Sequence, residues 1–278
     1  MNPVPVPASV PVPESASVPV PESVPESVLA SAPVLLWCVS TRAPDRVVRA
    51  ARLLLPAADR ERMARLRYRT DQDAFALSRA VLRRCLGALT GEAPAELRFT
   101  RRDNGKPEVA GAGQGSGLAF SLSHTAGLTL LAVTWGGPVG IDVERVRQVA
   151  AARIAARYFP ADEAAAVAAR SGHEAWDRFF RLWVRKEACV KVWGGRLREG
   201  LRTPVHLAVP GPATVQGPGG RLWRVRDLAC AAAPYRAAVA LPREARPPYV
   251  TIRQKSVAEL LEGDPTGGGG RRCTLNAP

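Results

Sequence analysis

A chain of 278 residues that is 46% hydrophobic and 23% charged has the make-up of a globular protein, with room for one large domain or two small ones. Its net charge of +14 suits anionic partners, and its longest apolar run, Pro33 to Val39, falls far short of the roughly 20 residues a membrane helix needs. Five scattered cysteines with no CxxC pair argue against a zinc ribbon, a thioredoxin motif or a disulfide framework, and the N-terminus lacks the basic start and apolar core of a secretory signal, so a reduced, soluble, cytoplasmic protein is expected.

Along the chain, residues 1–33 repeat a Pro/Val/Glu/Ser unit (Pro11 to Ser15, Pro19 to Ser23, Pro25 to Ser27) and carry Glu14, Glu22 and Glu26 with no base. Proline denies both helix and sheet hydrogen bonding, so this stretch reads as a disordered or polyproline-like extension. Residues 254–278 balance in charge, which leaves the whole basic excess in 34–253. Arginine supplies all but four of the bases; three of the lysines, Lys106, Lys186 and Lys191, fall in the motifs below.

Leu35 to Ser40 reads as a strand, followed by helices at Asp59 to Tyr68 and Asp71 to Leu89 with Phe75, Leu77, Val81, Leu82, Leu86 and Leu89 as the apolar positions. Short strands are predicted at Leu97 to Thr100, Leu118 to Leu122, Thr129 to Trp135 and Val139 to Val143. Helices follow at Ala151 to Tyr158, Ala161 to Arg170 and Glu174 to Trp193, then strands near Val205 to Val209, Trp223 to Leu228 and Ala237 to Leu241. At an offset of 104 residues Pro56 matches Pro160, Asp59 matches Glu163, Phe75 matches Phe179 and Cys85 matches Cys189. Two related α+β lobes with a cleft between them account for that register. The expected division is a disordered extension over 1–33, an N-terminal lobe over 34–138, a C-terminal lobe with the metal site over 139–250, and a flexible tail over 251–278.

Four motifs carry candidate chemistry. In Gly140-Ile141-Asp142-Val143-Glu144, strand alternation puts Asp142 and Glu144 on one side and Ile141 and Val143 on the other. Two carboxylates so placed read first as a solvated edge paired with Arg145 and Arg147, and otherwise as a hard oxygen site for Mg²⁺. Phe179 to Lys191 sets Glu187 and Lys191 four apart on one helix face, as an ordinary surface ion pair or with Glu187 completing the metal site and Lys191 neutralising phosphate charge. Phe120-Ser121-Leu122-Ser123-His124-Thr125-Ala126-Gly127 is a strand entering a turn, with His124 able to hydrogen-bond a phosphate. Cys189 lies in the apolar stripe, where it reads as core rather than as a nucleophile partnered by His124. Asp103-Asn104-Gly105-Lys106-Pro107 is a turn followed by an extended segment. The basic stretch Arg60 to Arg79 suggests nucleic acid, but no helix-turn-helix, RRM or zinc-finger signature accompanies it. The run Gly111 to Gly117 lacks GxGxxG spacing and reads as a loop.

The order Asn-Gly-Lys-Pro, Phe-Ser-Leu-Ser-His, Gly-Ile-Asp-Val-Glu, Trp-x-x-Lys-Glu-Ala-x-x-Lys resembles the Sfp-type 4'-phosphopantetheinyl transferases over about 55–240. The resemblance implies a pseudo-dimeric, two-lobed α+β fold. It also implies transfer of the 4'-phosphopantetheine arm of coenzyme A to a serine of an acyl or peptidyl carrier protein, releasing 3',5'-ADP with Mg²⁺, in polyketide, nonribosomal peptide or fatty acid synthesis. By matching position it implies Asp142, Glu144 and Glu187 as metal ligands and Glu187 as base for the serine hydroxyl. Lys191 would act on the pyrophosphate, Ser123 and His124 would contact the nucleotide phosphates, and Gly105, Lys106 and Pro107 would form the adenine-side loop. Arg62 and Arg79 would meet coenzyme A's phosphates. Two positions depart from the pattern: Ala74 stands where a basic residue is common, with Arg69 as a possible substitute, and Arg196 stands where relatives often carry glycine. A monomer without nucleic-acid or membrane partners follows from this reading; a basic nucleic-acid-associated protein or an inactive scaffold relative are the competing ones.

Overall fold

Val34–Ser40 is apolar at nearly every position because both faces of the strand it forms, β1, are covered. The computed structural model describes residues 33–101, 107–110, 118–135, 137–205, 212–229, 233–245, 250–267 and 271–273. After β1 come helices α1 (Asp45–Leu53), α2 (Ala57–Ala64) and α3 (Arg69–Thr90), then strands β2 (Phe99–Arg101), β3 (Pro107–Val109), β4 (Ala119–Thr125), β5 (Leu128–Thr134) and β6 (Gly140–Arg145). Helices α4 (Ala151–Tyr158), α5 (Ala161–Ala168), α6 (Gly172–Trp193) and α7 (Leu197–Gly200) follow. The described chain then adds β7 (Ala213–Gln216), β8 (Leu222–Asp227), β9 (Tyr235–Pro242), β10 (Val250–Ser256), α8 (Val257–Glu262) and β11 (Arg271–Cys273).

The fold is α+β. One sheet has the order β11-β10-β1-β5-β4 and another the order β6-β9-β8-β7, with β2 and β3 as a separate pair. Helix α3 lays Leu77, Val81, Leu82, Cys85 and Leu86 on Trp37, Val39, Leu131 and Val133 of the first sheet. Helix α6 does the same with Phe179, Leu182, Ala188 and Cys189 against Trp223, Val225, Ala238 and Ala240 of the second. Between the sheets a third cluster joins Leu36, Cys38, Leu130 and Ala132 to Ile141, Val143, Ala237 and Val239. The layers therefore run helix, sheet, sheet, helix, and burial from both sides makes the central strands continuous in apolar residues.

The 104-residue register reappears in the elements. Pro56 and Pro160 occupy the N-cap positions of α2 and α5, and Cys85 and Cys189 are fully buried on α3 and α6. Both long helices run 22 residues and end on a left-handed glycine, Gly91 (φ 77°) and Gly194 (φ 76°). Asp59 is buried against Arg79 (3.0 Å) and Arg83 (2.8 Å) of α3, and Glu163 against Lys186 (2.5 Å) of α6. A buried acid on each short helix is thus matched by a base on the long helix beside it.

One expectation is overturned, and two elements that no prediction covered are added. Residues 251–262 are not a flexible tail: β10 pairs parallel with β1 from Val34↔Val250 to Ser40↔Ser256, and α8 buries Val257 and Leu260 in the α3 core. Unsatisfied backbone at the edge of β1 is what recruits it, and Ser256 and Glu259 close a capping box at the turn into the helix. Helix α1, which no prediction covered, buries Val47, Val48 and Ala51. The second sheet's edge strand is β7 at 213–216; of the strand expected near 205–209, all but Val205 lies outside the described residues, as do the extension over 1–32, the glycine run 111–117, and Gly105 and Lys106.

Candidate active site

Strand β6 and helix α6 meet at Gly140, where a Cβ would stand 2.0 Å from the Ala188 carbonyl oxygen and 2.6 Å from the Val192 nitrogen. Only a residue without a side chain lets the strand lie that close to the helix. The contact sets Asp142 and Glu144, on the side opposite core Ile141 and Val143, against the face of α6 that carries Glu187 and Lys191. Lys191 Nζ donates to Asp142 Oδ1 at 2.7 Å.

The other side of β6 is built by β4. Ser121, Ser123 and Thr125 alternate along β4, and their hydroxyls accept from the backbone N–H groups of Ile141 (3.1 Å), Val143 (3.3 Å) and Arg145 (3.3 Å). Strands β4 and β6 are the edge strands of their sheets, so side-chain hydroxyls stitch together two edges that lack a main-chain ladder. Ser123 Oγ also donates to Asp142 Oδ1 at 2.7 Å, and Thr125 Oγ1 to Glu144 Oε2 at 3.4 Å. Arg147 pairs with Glu144 at 3.0 Å, as the edge reading of this strand foresaw for that acid.

The carboxylates share one field. Burial, then the neighbouring Asp142, pushes Glu187 up to about 7, against the lowering effect of Lys191. Burial also raises Glu144, opposed by the hydrogen bond from Arg147. His124, on the exposed end of β4, is lowered by burial of its ring and by Lys191, so it is held neutral. Asp142 is 4% exposed and its Oδ2 has no hydrogen-bond partner. Among the described residues, however, no three acidic, histidine or cysteine side chains converge as a ready metal cage. Asp142, Glu144 and Glu187, expected together as ligands, are near enough to repel, and the cations beside them are Lys191 and Arg147.

A cavity of about 400 Å³ opens beside these groups, with Arg62, Phe75, Arg79, Pro107, His124 and Lys191 in its wall. Helices α2, α3 and α6 with strands β3 and β4 thus supply one cleft, bringing together the expected Arg62, Arg79, Pro107, His124 and Lys191. Arg79 is anchored by Asp59 and lies 5.0 Å over the Phe99 ring, and Arg62 lies 5.9 Å over Phe75. Ser123 is not in the cavity wall; its hydroxyl is committed to Asp142 and to β6. Arg69, the substitute considered for Ala74, stands 3.8 Å from Asp73 at the start of α3 and away from the cavity wall. Arg196 takes φ −86° before α7, a conformation open to any residue, so the missing glycine costs the backbone nothing there. Lys186, in the same motif as Glu187, is fully buried on Glu163 and the Thr203 carbonyl and faces no cleft. Cys189 is core, its thiol pushed up to about 12 by burial. The residues missed from sequence are Ser121 and Thr125 of the stitch and Phe75 as cavity wall; the alternating hydroxyls of β4 were the available signal.

Comparison with known proteins covers both halves. The 4'-phosphopantetheinyl transferase superfamily matches residues 138–240, and the family described as 4'-phosphopantetheinyl transferase, N-terminal, matches residues 43–135. The chain is 29% identical over 193 residues to the 4'-phosphopantetheinyl transferase HetI of Nostoc sp., covering 69% of this chain and 81% of that one. It is 31% identical over 155 residues to the transferase psf-1 of Bacillus pumilus (55% of this chain, 64% of that one), and 26% identical over 146 residues to the transferase Sfp of Bacillus subtilis (52% and 61%). With two family matches lying side by side along the chain, each containing elements that build the cleft, the chain belongs to the 4'-phosphopantetheinyl transferase superfamily and is an enzyme of that kind.

Proposed function

We propose that this enzyme moves the 4'-phosphopantetheine arm of coenzyme A onto a serine of an acyl or peptidyl carrier protein and releases 3',5'-ADP, with a divalent cation such as Mg²⁺. The observation that carries the reading is the buried, unpartnered Oδ2 of Asp142 beside Glu144, Glu187 and Lys191, at a cleft walled by Arg62 and Arg79. An oxygen so placed suits a hard cation, and Asp142, Glu144 and Glu187 are the residues that would hold it. When bound there, the cation would supply neutralisation of the pyrophosphate charge.

The chain's own groups supply the rest. Arg62 and Arg79 attract the polyanionic substrate, and Phe75 offers an apolar wall. Glu187, poised near neutrality, takes the proton from the serine hydroxyl, directly or through water, as its oxygen attacks the β-phosphorus. Lys191 keeps one N–H on Asp142 and offers its other donors to the departing ADP phosphate, and neutral His124 donates a ring N–H to a phosphate oxygen. In this reading the enzyme works as a cytoplasmic monomer, with Cys85 and Cys189 as buried free thiols; no helix among the described residues is long and apolar enough to cross a membrane. The basic stretch that suggested nucleic acid contributes Arg62 and Arg79 to this cleft.

The test is intact mass spectrometry of apo carrier protein mixed with enzyme, coenzyme A and Mg²⁺. A gain of one phosphopantetheine arm, lost with EDTA and cut about 100-fold or more by Glu187→Ala, is expected. No gain on fatty acid, polyketide or peptide carriers would overturn the reading.

A further inference from the structure

We propose that Ser123 is a positioning residue for the cation-holding carboxylate, not a phosphate contact: its hydroxyl locks Asp142 by one oxygen and so presents the other. The inference rests on the functional reading above and deepens it. Ser123 is 7% exposed, and its hydroxyl spends its proton on Asp142 Oδ1 at 2.7 Å while accepting from the Val143 N–H at 3.3 Å. With its donor spent inside the protein, it has no proton to offer a phosphate oxygen. Oδ1 receives a second donor from Lys191, also at 2.7 Å. Two donors converging on one oxygen fix the carboxylate plane, and Oδ2 is the atom left without a partner. Outer hydrogen bonds of this kind orient ligating carboxylates and tune affinity for the ion.

Geometry also separates this role from simple sheet stitching. Ser121, two residues earlier on β4, makes the same kind of bond to β6, accepting from Ile141 N–H at 3.1 Å, and is equally buried at 5% exposure, but it belongs to no hydrogen bond with a carboxylate described here. Ser121→Ala therefore removes a stitch and trims the cleft wall but leaves Asp142 held, whereas Ser123→Ala removes a stitch and the lock on Asp142.

The experiment is titration of Mn²⁺ into the full-length protein without coenzyme A, following the free-ion signal by electron paramagnetic resonance, alongside thermal melts. Ser123→Ala is expected to weaken Mn²⁺ binding about tenfold or more, with Ser121→Ala within about twofold of the native protein although both lower the melting temperature. Ser123→Thr keeps the hydroxyl and restores affinity. Near-isosteric Ser123→Cys, whose thiol donates weakly, shows the same loss if the alanine variant does not melt cooperatively. In the transfer assay, Ser123→Ala raises the Mg²⁺ needed for half-maximal rate and leaves the KM for coenzyme A at saturating Mg²⁺ unchanged. Equal Mn²⁺ losses in Ser121→Ala and Ser123→Ala, or unchanged Mn²⁺ binding with a raised KM for coenzyme A, would overturn the proposal alone. Native protein that neither binds Mn²⁺ nor loses transfer in EDTA would instead overturn the cation reading beneath it.

Discussion

Glu187 and Asp142 face each other from a helix and a strand, and burial first, then the neighbouring acid, raises the pKa of Glu187. Its folded pKa stands at about 7 against an ordinary 4.5. A carboxyl raised by folding favours the folded state while protonated, so its stabilising contribution is complete below the ordinary range and is lost as pH rises through about 7. Glu144 is raised in the same sense. In EDTA the native protein should therefore melt at a lower temperature at pH 8 than at pH 5.5, and Glu187→Gln should flatten part of that slope; an unchanged slope would show that neither burial nor the neighbouring acids raise Glu187 on folding. The acids themselves were legible in sequence, because period-2 alternation fixes Asp142 and Glu144 on one side and a spacing of four joins Glu187 to Lys191. The partner of Asp142 was not, since Ser123 lies 19 residues away on another sheet's edge and no local period announces that meeting.

At the scale of elements, the site depends on how closely β6 approaches α6. Gly140→Ala would drive a methyl group into the Ala188 carbonyl and the Val192 nitrogen, both backbone, so neither can swing aside. A loss of about 1–3 kcal/mol by chemical denaturation is expected, together with a fall in transfer rate as Asp142 is pushed away from Lys191; full activity in this variant would mean the strand can slide without harm. The long helices, α4 and the two β-strands of the hairpin β4–β5 follow from apolar periodicity that the sequence displays openly. Helix α1 escaped because four of its nine residues are arginine or aspartate and its buried face is only Val47, Val48 and Ala51. Strand β10 escaped for a different reason: Val250 to Ser256 carries Arg253, Gln254 and Lys255 and leads into a glycine-rich end, so composition hid a strand whose place is set by β1, more than 200 residues earlier.

Across the whole molecule, β10 and α8 bind the end of the described chain to its beginning. Trp37 of β1 is fully buried, and its indole N–H donates to the Pro265 carbonyl at 2.9 Å. Arg84 of α3 donates to the carbonyls of Leu260 and Gly263. Ending the chain at residue 249 would strip β1 of its parallel neighbour, expose Val257's and Leu260's place in the core, and leave the Trp37 indole without an acceptor. Such a truncation should be insoluble or melt without cooperativity; a soluble protein with the native melting temperature would show that the segment only decorates the sheet.

That pairing also imposes an order in time. During synthesis β5 and β4 emerge early enough to close one flank of β1, while the other flank waits for residues 250–256. Until they leave the ribosome, the first sheet is a finished hairpin beside an open, largely apolar edge. The lobe that begins first is thus completed last, and its nascent form is the stage at which the chain most needs shelter from neighbours.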